Sequence, residues 1–315
     1  MRYKKLGKSG LDISVIGHGT WSFGSDVFGA VEEKSCIDAI HASLDAGVNL
    51  IDTAPCYGPN RDAEKIVGKA ISDRREKVFL ATKSGSWLWH GEYFHACRKR
   101  IVKPEFENSL RYLKTDYVDL LFVHAPDPER SVEQMLEAFI ELKQEGKIKA
   151  IGVSNFNVAQ LKEAMKYTRI DCVQPPFSML DRSCVENGLI PFCEENDIAV
   201  MSYGSLCGGL LAGMAQKPVP GKNEERSRFY PQFEEPYWSK SQELIQVLRQ
   251  IAEQKNTSVA TVSIAWALAQ KGITCSLMGS SSAGHATRNA QAADVELSDA
   301  ELSIIDENYR KIFGN

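Results

Sequence analysis

Apolar positions along the chain fall into eight short, largely unbroken runs, each followed directly or after a loop by a helical pattern. The runs are ISVIGHGTW, VNLIDT, KVFLATK, YVDLLFVHA, IKAIGVS, IDCVQ, IAVMSYG and ITCSLMGS. Unbroken rather than alternating apolar runs are typical of parallel strands whose two faces are both covered. Eight such units in 315 residues predict a (β/α)8 barrel, an α/β fold of TIM-barrel type. No G-x-G-x-x-G opens the first unit, which argues against an open Rossmann sheet.

Two segments fall outside this repeating pattern. The opening MRYKKLGKSGLDIS places Gly-Lys-Ser-Gly between short β-prone pieces, which predicts a hairpin that caps the bottom of the barrel. The stretch from residue 205 to about 238 is rich in Gly, Pro, Arg and aromatic residues, and a loop of this length in a compact domain usually has a function. With no linker or low-complexity tract, residues 1–315 are expected to form one barrel domain.

Composition and charge exclude several classes of protein. A formal net charge of −4 gives no electrostatic reason to bind nucleic acid or an anionic membrane. No segment reaches the roughly 18 uninterrupted apolar residues of a membrane-spanning helix. The eight cysteines form no Cys-x-x-Cys pair, and no apolar run follows the N-terminal positive charges as in a secretory signal. We therefore expect a cytoplasmic protein with reduced thiols and no metal site.

Polar residues follow the C-terminal ends of several predicted strands, where a barrel places its active-site mouth. Asp52, Lys83 and His124 come from three consecutive units, so their side chains can converge. Taken singly, each has an ordinary structural explanation, such as a turn cap or a lysine at the rim. Their coincidence favours a functional site. The other polar groups collected in this way are Tyr57, Ser154, Asn155 and Gln174.

The four residues Asp52, Tyr57, Lys83 and His124 suit one kind of chemistry. A tyrosine is protonated at neutral pH and donates a proton weakly, with an ordinary pKa of about 10. A nearby buried ammonium of Lys83 would lower the pKa of Tyr57, and Asp52 would serve as the counter-ion of that ammonium. His124 would donate a hydrogen bond to a substrate oxygen and share its developing charge. This set suits reduction of a carbonyl group, provided that hydride comes from another source.

With these residues in these motifs, the sequence resembles the aldo-keto reductases. The resemblance is carried by LIDTAPCYG, LATKSG, DLLFVHAPDP, IGVSNF, VQPPFSML, SYGSLCGGLLAG and MGSSSAGHATRNAQAAD, in that order along essentially the whole chain. It implies an NAD(P)H-dependent oxidoreductase that interconverts aldehydes or ketones, including sugars, with alcohols. It also implies that the cofactor binds in extended form without a Rossmann domain.

The resemblance also implies a role for each site residue. Tyr57 matches the general acid, Lys83 its partner, Asp52 the residue holding that lysine, and His124 the residue that orients the carbonyl. Ser154, Asn155 and Gln174 match the groups that bind the nicotinamide carboxamide, and Phe177 matches the aromatic ring beneath the nicotinamide. At the end of the first strand, Thr20 and Trp21 are expected near the cofactor. The loop expected to close over the pyrophosphate contains Tyr203, Gly204, Ser205, Leu206, Gly209 and Arg228.

The adenosine end departs most from the family pattern. Ser281 and Asn289 fit it, whereas His285 replaces a common Arg or Gln and Arg288 replaces a usual Glu. Ser280, Ser281, His285 and Arg288 could supply the cationic or hydrogen-bonding groups that the additional phosphate of NADPH needs, and Gly279 and Asn289 are also expected to bind the cofactor. NADPH is therefore favoured, with NADH left open.

The substrate pocket is expected to have aromatic walls beside Tyr57 and His124. Trp21 and Phe23 follow the first strand in GTWSFG, and Trp87 and Trp89 lie in an aromatic-rich loop after Lys83. Such walls suit apolar carbonyls as well as the C–H faces of sugars, so the expected partner is a small carbonyl or alcohol.

Two alternatives belong to other functional classes. Potassium-channel beta subunits share this fold and the four residues, so a nicotinamide-binding redox sensor within a larger complex is the second hypothesis. A metal-dependent barrel hydrolase is the third, but that class needs clustered ligands at strand ends. Only His18 and His124 are placed for this in the sequence.

Overall fold

The computed structural model describes residues 1–24, 27–89, 92–218 and 226–314. Its strands include a short N-terminal pair, a second short pair and eight strands of a closed parallel barrel. In chain order they are β1 (Tyr3–Lys5), β2 (Asp12–Ser14), β3 (Ile16–Gly19), β4 (Leu50–Asp52), β5 (Phe79–Ser84), β6 (Ser86–Trp89), β7 (Glu92–His95), β8 (Val118–Val123), β9 (Ile148–Ser154), β10 (Cys172–Gln174), β11 (Ala199–Ser202) and β12 (Cys275–Gly279).

The barrel order is β3-β4-β5-β8-β9-β10-β11-β12, with β12 pairing back onto β3. These eight strands are the eight apolar runs, so the predicted (β/α)8 fold is confirmed. The helices of the described residues are α1 (Glu33–Asp45), α2 (Asp62–Ala70), α3 (Lys99–Leu113), α4 (Val132–Gln144), α5 (Val158–Ala164), α6 (Ser183–Glu186), α7 (Leu189–Glu195), α8 (Arg226–Phe229), α9 (Tyr237–Gln254), α10 (Val259–Ala269), α11 (Ala283–Gln291) and α12 (Asp299–Phe313).

The N-terminal pair β1–β2 is the predicted hairpin, and it closes one end of the barrel. Leu6 and Ile13 are fully buried and pack in one cluster with the inward residues Leu50 and Phe79. These inward residues lie at the first positions of their strands, so the hairpin covers the end opposite the strand termini.

The interior of the barrel is layered because side chains two residues apart face the same side of a strand. Leu50, Ala81, Phe122 and Met201 belong to the buried interior cluster. The next inward position, at the end of each of these strands or directly after it, is polar, and so are the corresponding positions of β9 and β10. Those positions are Asp52, Lys83, His124, Ser154, Gln174 and Tyr203.

Two details differ from the sequence prediction. The aromatic-rich segment after Lys83 contains an antiparallel pair, β6 with β7, rather than a loop alone. The helical pattern that follows the run IDCVQ, SCVENGLIPFCEEN, is split into α6 and α7, because Gly188 between them has a left-handed φ of 79°. Within the described residues, no helix is both long and apolar enough to cross a membrane.

Candidate active site

A buried ion pair lies at the ends of β4 and β5. Lys83 Nζ is 2.5 Å from Asp52 Oδ1 and also donates to the Thr53 carbonyl at 2.9 Å. Lys83 is 1% exposed and Asp52 2%. The other carboxylate oxygen of Asp52 accepts a hydrogen bond from Gln174 Nε2 at 3.0 Å. The Asp52 carboxylate therefore binds both Lys83 and Gln174, and its negative charge compensates the buried lysine ammonium.

A tight turn carries Tyr57 over this pair. The Tyr57 N–H donates to the Ala54 carbonyl, and the Tyr57 carbonyl accepts from Ala63 at the start of α2. A Cβ at Gly24 would lie 2.4 Å from the Tyr57 carbonyl oxygen, and Gly58 has a φ of +90°. Only glycine fits such a close approach and such a φ. The loop after β3 can thus press against the turn and fix the phenol.

The Tyr57 ring lies close to both the ion pair and His124. Lys83 Nζ is 5.1 Å from the centroid of the ring. The His124 ring is 6.0 Å away and meets it edge to face at 83°. Tyr57 and His124 are half-buried, whereas the lysine and the aspartate beneath them are fully buried. The phenol and the imidazole are therefore the groups of this set that a small molecule can reach.

Burial sets the protonation of both accessible groups. The pKa of Tyr57 is raised well above its ordinary value of 10, first by burial and then by the Asp52 carboxylate. Lys83 was expected to lower the pKa of Tyr57; in the structure Asp52 compensates the lysine charge, and the effect of burial dominates. The pKa of His124 is lowered well below 6.5 by burial and by the Lys83 charge. At neutral pH the site holds a neutral phenol and a neutral imidazole.

The polar residues of β9, β10 and β11 form a connected rim beside His124. Asn155 Nδ2 donates to the His124 carbonyl at 3.1 Å, and its Oδ1 accepts from Tyr203 OH at 2.9 Å. Asn155 has a φ of +61°, a conformation that asparagine tolerates better than most residues. Ser154 Oγ donates to the Gln174 carbonyl at 2.8 Å. Four consecutive strand ends are thus linked by side chains.

The segment after β11 begins the predicted long loop and is anchored in the barrel. Ser205 is buried, with its Oγ 2.6 Å from Ser276 Oγ on β12. Gly208 and Gly209 both have positive φ, and Arg226 donates to the Gly208 carbonyl at 3.2 Å. Residues 219–225 of this loop lie outside the described residues. Arg226 was not among the predicted site residues. Its hydrogen bond to Gly208 connects the two described parts of the loop.

Comparison with known proteins assigns the family. The model of the aldo/keto reductase family matches residues 15–310. The chain belongs to this family. The aldo-keto reductase YhdN of Bacillus subtilis (strain 168) is 38% identical over 288 residues, covering 90% of this chain and 86% of YhdN. The NADH-specific methylglyoxal reductase of Escherichia coli (strain K12) is 31% identical over 324 residues, covering 98% of each. The glycerol dehydrogenase AKR11B4 from Gluconobacter oxydans is similar in structure, with a TM-score of 0.87, 31% identity, and coverage of 97% and 94%.

Three predicted contact residues of this aldo/keto reductase are buried away from the mouth. Phe177, predicted to lie beneath the nicotinamide, is 1% exposed and stacks on Trp266 with centroids 5.5 Å apart, so its ring does not face the mouth in this structure. Phe23, predicted as a pocket wall, is 3% exposed and packs against His18, so its ring likewise faces away from the mouth in this structure. Thr20 is fully buried, and its hydroxyl donates to the Asp52 carbonyl. Thr20 therefore supports the strand end from behind.

Tyr203, unlike Phe177, presents an aromatic ring at the mouth. It is half-buried at the inward end of β11, and its hydroxyl bonds Asn155. An aromatic face at this height in the barrel can stack on a nicotinamide ring. The rim formed by Ser154, Asn155, Gln174 and Tyr203 therefore fits the nicotinamide end of the cofactor that aldo/keto reductases use.

The residues expected at the adenosine end lie together around β12 and α11. Asn289 Nδ2 donates to the Gly279 carbonyl at 3.4 Å, and the Ser281 carbonyl accepts from Ser35 Oγ at 2.6 Å. His285 and Arg288 are exposed on α11. This surface presents polar and cationic side chains outward, which fits a phosphate-bearing ligand.

The mouth has aromatic walls, although some differ from those expected. The Trp21 ring meets the rings of Phe28 and Phe229 edge to face, each at 5.3 Å, and lies 6.5 Å from Tyr57. Phe229 on α8 also contacts Tyr93 on β7 at 6.2 Å. We call Trp21, Phe28, Tyr93 and Phe229 the aromatic wall. Three of these four were missed, because the sequence around an aromatic residue does not show which element its ring will pack against.

The remaining expected site residues lie on β6, on α8 and in the segment after β11. Trp87 is half-buried on β6, and the side chain of Trp89 lies outside the described part of the structure. Arg228 is exposed on α8 and lies 5.8 Å from the ring of Phe229. Leu206 is half-buried and packs against the core. In the described ranges, no group of three or more His, Cys, Asp or Glu residues is placed to hold a metal ion.

Proposed function

We propose that the protein reduces small aldehydes and ketones to alcohols, using Tyr57 as the proton donor and NADPH as the preferred cofactor. The observation that carries this proposal is the convergence of Tyr57, His124 and the buried Lys83–Asp52 pair at one strand-end mouth. Residues 1–315 would act as a single catalytic domain.

Each group of the mouth has one task in this reaction. The reduced nicotinamide, when bound, supplies the hydride that reduces the carbonyl carbon. His124, neutral because burial and Lys83 lower its pKa, donates a hydrogen bond that orients the carbonyl oxygen. Tyr57 transfers its phenolic proton to that oxygen as the oxygen becomes an alkoxide. Since an alkoxide is a stronger base than a phenolate, this transfer is favourable even from a phenol whose pKa is raised.

The Lys83–Asp52 pair stabilises the phenolate of Tyr57 after its proton has been transferred. The Lys83 ammonium lies 5.1 Å from the Tyr57 ring and does not depend on solvent for its counter-ion. A preorganised charge of this kind stabilises a developing anion without reorganisation. Gln174 holds the second carboxylate oxygen of Asp52, so the pair is fixed before the substrate binds.

The substrate class is supported by the wall and by the relatives. The aromatic wall excludes water from one side of Tyr57, which strengthens the hydrogen bonds to a bound carbonyl. Relatives at about 30% identity or above include proteins named methylglyoxal reductase and glycerol dehydrogenase. We therefore propose a small carbonyl compound bearing neighbouring oxygen atoms as the substrate class.

The preference for NADPH rests on two exposed side chains of α11, the guanidinium of Arg288 and the imidazole of His285. Arg288 and His285 lie one turn apart beside Ser281, and a charge-assisted hydrogen bond to phosphate is worth about 1.5–3 kcal/mol. Arg288→Ala is expected to raise the KM for NADPH roughly tenfold while changing that for NADH less. Equal changes in the KM values for NADPH and NADH would show that Arg288 does not recognise the additional phosphate.

The proposal is tested by the loss of reduced-nicotinamide absorbance with methylglyoxal, glyceraldehyde and benzaldehyde, with NADPH and NADH in separate assays. Tyr57→Phe is expected to lower kcat by about 10²–10⁴, the usual contribution of a general acid. NADPH binding, followed by quenching of tryptophan fluorescence, should remain unchanged. Tyr112→Phe on α3, away from the mouth, serves as the matched control and should retain full turnover.

Two results would contradict the proposal. Turnover of Tyr57→Phe within a few-fold of wild type would remove Tyr57 as the acid. Oxidation of a single equivalent of bound cofactor, with no further turnover on any carbonyl, would instead favour the redox-sensing role.

A further inference from the structure

The thiol of Cys56 lies against the ring of His124. Cys56 Sγ is 3.5 Å from His124 Nδ1, within the range of a sulfur hydrogen bond. Cys56 is 6% exposed and sits in the turn that carries Tyr57. The reaction proposed for Tyr57 and His124 gives this thiol no role.

A neutral imidazole has one N–H and one lone pair, and the partner of one nitrogen decides which nitrogen carries the proton. Burial raises the pKa of Cys56 to about 12, so its sulfur keeps its proton and can donate it in a hydrogen bond. Burial and Lys83 hold the pKa of His124 well below 6.5. A donor at Nδ1 therefore requires the lone pair there and the proton on Nε2.

Across the described residues, the His124 ring has no other hydrogen-bond partner. Asn155 reaches the backbone carbonyl of His124 and not its ring. The Tyr57 ring makes an edge-to-face contact, which does not distinguish between the two tautomers. The choice of tautomer thus falls to Cys56.

We propose that Cys56 is a positioning residue that donates its S–H to His124 Nδ1 and so keeps the Nε2–H available for the carbonyl oxygen. This inference rests on the proposed function, since it assigns the Nε2–H to a carbonyl substrate. It deepens that function by naming the group that sets which nitrogen of His124 acts as donor.

Two substitutions separate the hydrogen bond from packing. Cys56→Val keeps a similar apolar volume and removes the donor, whereas Cys56→Ser restores a donor and is more polar. If the thiol only fills space, valine is the better replacement; if it donates, serine is the better one. Cys193, fully buried on α7 and away from the mouth, provides the matched controls Cys193→Val and Cys193→Ser.

Kinetics with a small carbonyl give the first measurement. Cys56→Val should lower kcat/KM roughly threefold to tenfold, the equivalent of one ordinary hydrogen bond, with unchanged NADPH affinity. Cys56→Ser should recover most of that loss, and both Cys193 variants should match wild type. Wild-type kinetics for Cys56→Val together with a loss in Cys56→Ser would overturn the proposal. Cys56→Ala replaces the valine variant if the latter does not fold.

The second measurement does not depend on catalysis. Nitrogen-15 NMR of the histidine rings in the resting protein reports the protonation of each nitrogen, and His124→Gln identifies the signals of His124 by their loss. An unprotonated Nδ1 with a protonated Nε2, converted to a mixture by Cys56→Val, is expected. A protonated Nδ1 in the wild-type protein would overturn the proposal. If no carbonyl is turned over, the proposed function fails, and these spectra alone decide the Cys56–His124 assignment.

Discussion

The charges of Asp52 and Lys83 should stabilise the folded protein only as a pair. Their side chains are 3% and 1% exposed, and the joining distance is 2.5 Å, so water screens neither charge. Removing one partner of such a pair costs about 3–5 kcal/mol, because the remaining charge stays buried without compensation. Lys83→Met and Asp52→Asn should each lower the free energy of unfolding by about this amount.

Combining the two substitutions removes both charges together. An amide at position 52 can still accept the hydrogen bond of Gln174, so the lost interactions are those made by the lysine amine. We expect the double variant to lose only about 1–2 kcal/mol, roughly one or two hydrogen bonds. The double variant should therefore be more stable than either single variant.

Urea unfolding of the four proteins, followed by tryptophan fluorescence, measures these differences as shifts in the transition midpoint. The interaction energy of the double-mutant cycle should be several kcal/mol. A double variant whose loss equals the sum of the two single losses would refute the reasoning, because the charges would then act independently.

Three further predictions follow from burial and close contacts. Because the pKa of Tyr57 is raised, the phenol needed for carbonyl reduction persists as pH rises, while the phenolate needed for alcohol oxidation stays scarce. Initial rates should thus be flat from about pH 6 to 9 for reduction and still climbing near pH 10 for oxidation; an oxidative plateau below pH 9 would contradict this. Burial raises the pKa of Glu105 from 4.5 to about 7, so the folded state binds more protons than the unfolded state between these values, and stability falls as pH rises through them. As pH rises from 4.5 to 8, the free energy of unfolding of Glu105→Gln should therefore increase by up to about 3 kcal/mol relative to that of wild type, measured by urea unfolding. A difference between the two proteins that does not change with pH would contradict this prediction. Gly24→Ala should lower kcat, because its Cβ would displace the Tyr57 turn, whereas Gly146→Ala, with a positive φ but open space around it, should affect stability alone; equal kcat values for the two variants would speak against this contact.

The barrel and the polar rim could be predicted because both depend on local pattern. Leu50 and Asp52 stand two residues apart, as do Ala81 and Lys83, so each pair faces the barrel interior by strand geometry alone. An apolar strand followed by an inward polar residue is visible in the sequence. The side chains of Ser131 and Asn157 cap α4 and α5 by bonding residues three positions further on, which is likewise a local interaction.

Local sequence pattern could not predict which aromatic rings line the mouth and which pack into the core. Phe177 and Phe23 follow strand ends just as Trp21 does, yet both are buried against other elements. Phe229 reaches the mouth from α8, more than 200 residues along the chain from Trp21. Whether an aromatic ring packs under the rim or over it depends on partners far away in sequence.

The sequence by itself determined the barrel, the strand ends that face the mouth and the polar residue types placed there, because strand alternation and capping act over a few residues. Only the tertiary structure decided that Asp52 is shared between Lys83 and Gln174, that burial raises the pKa of Tyr57, and that Cys56 touches His124. Hydrogen-bond partners and desolvation depend on segments that meet only when the barrel closes.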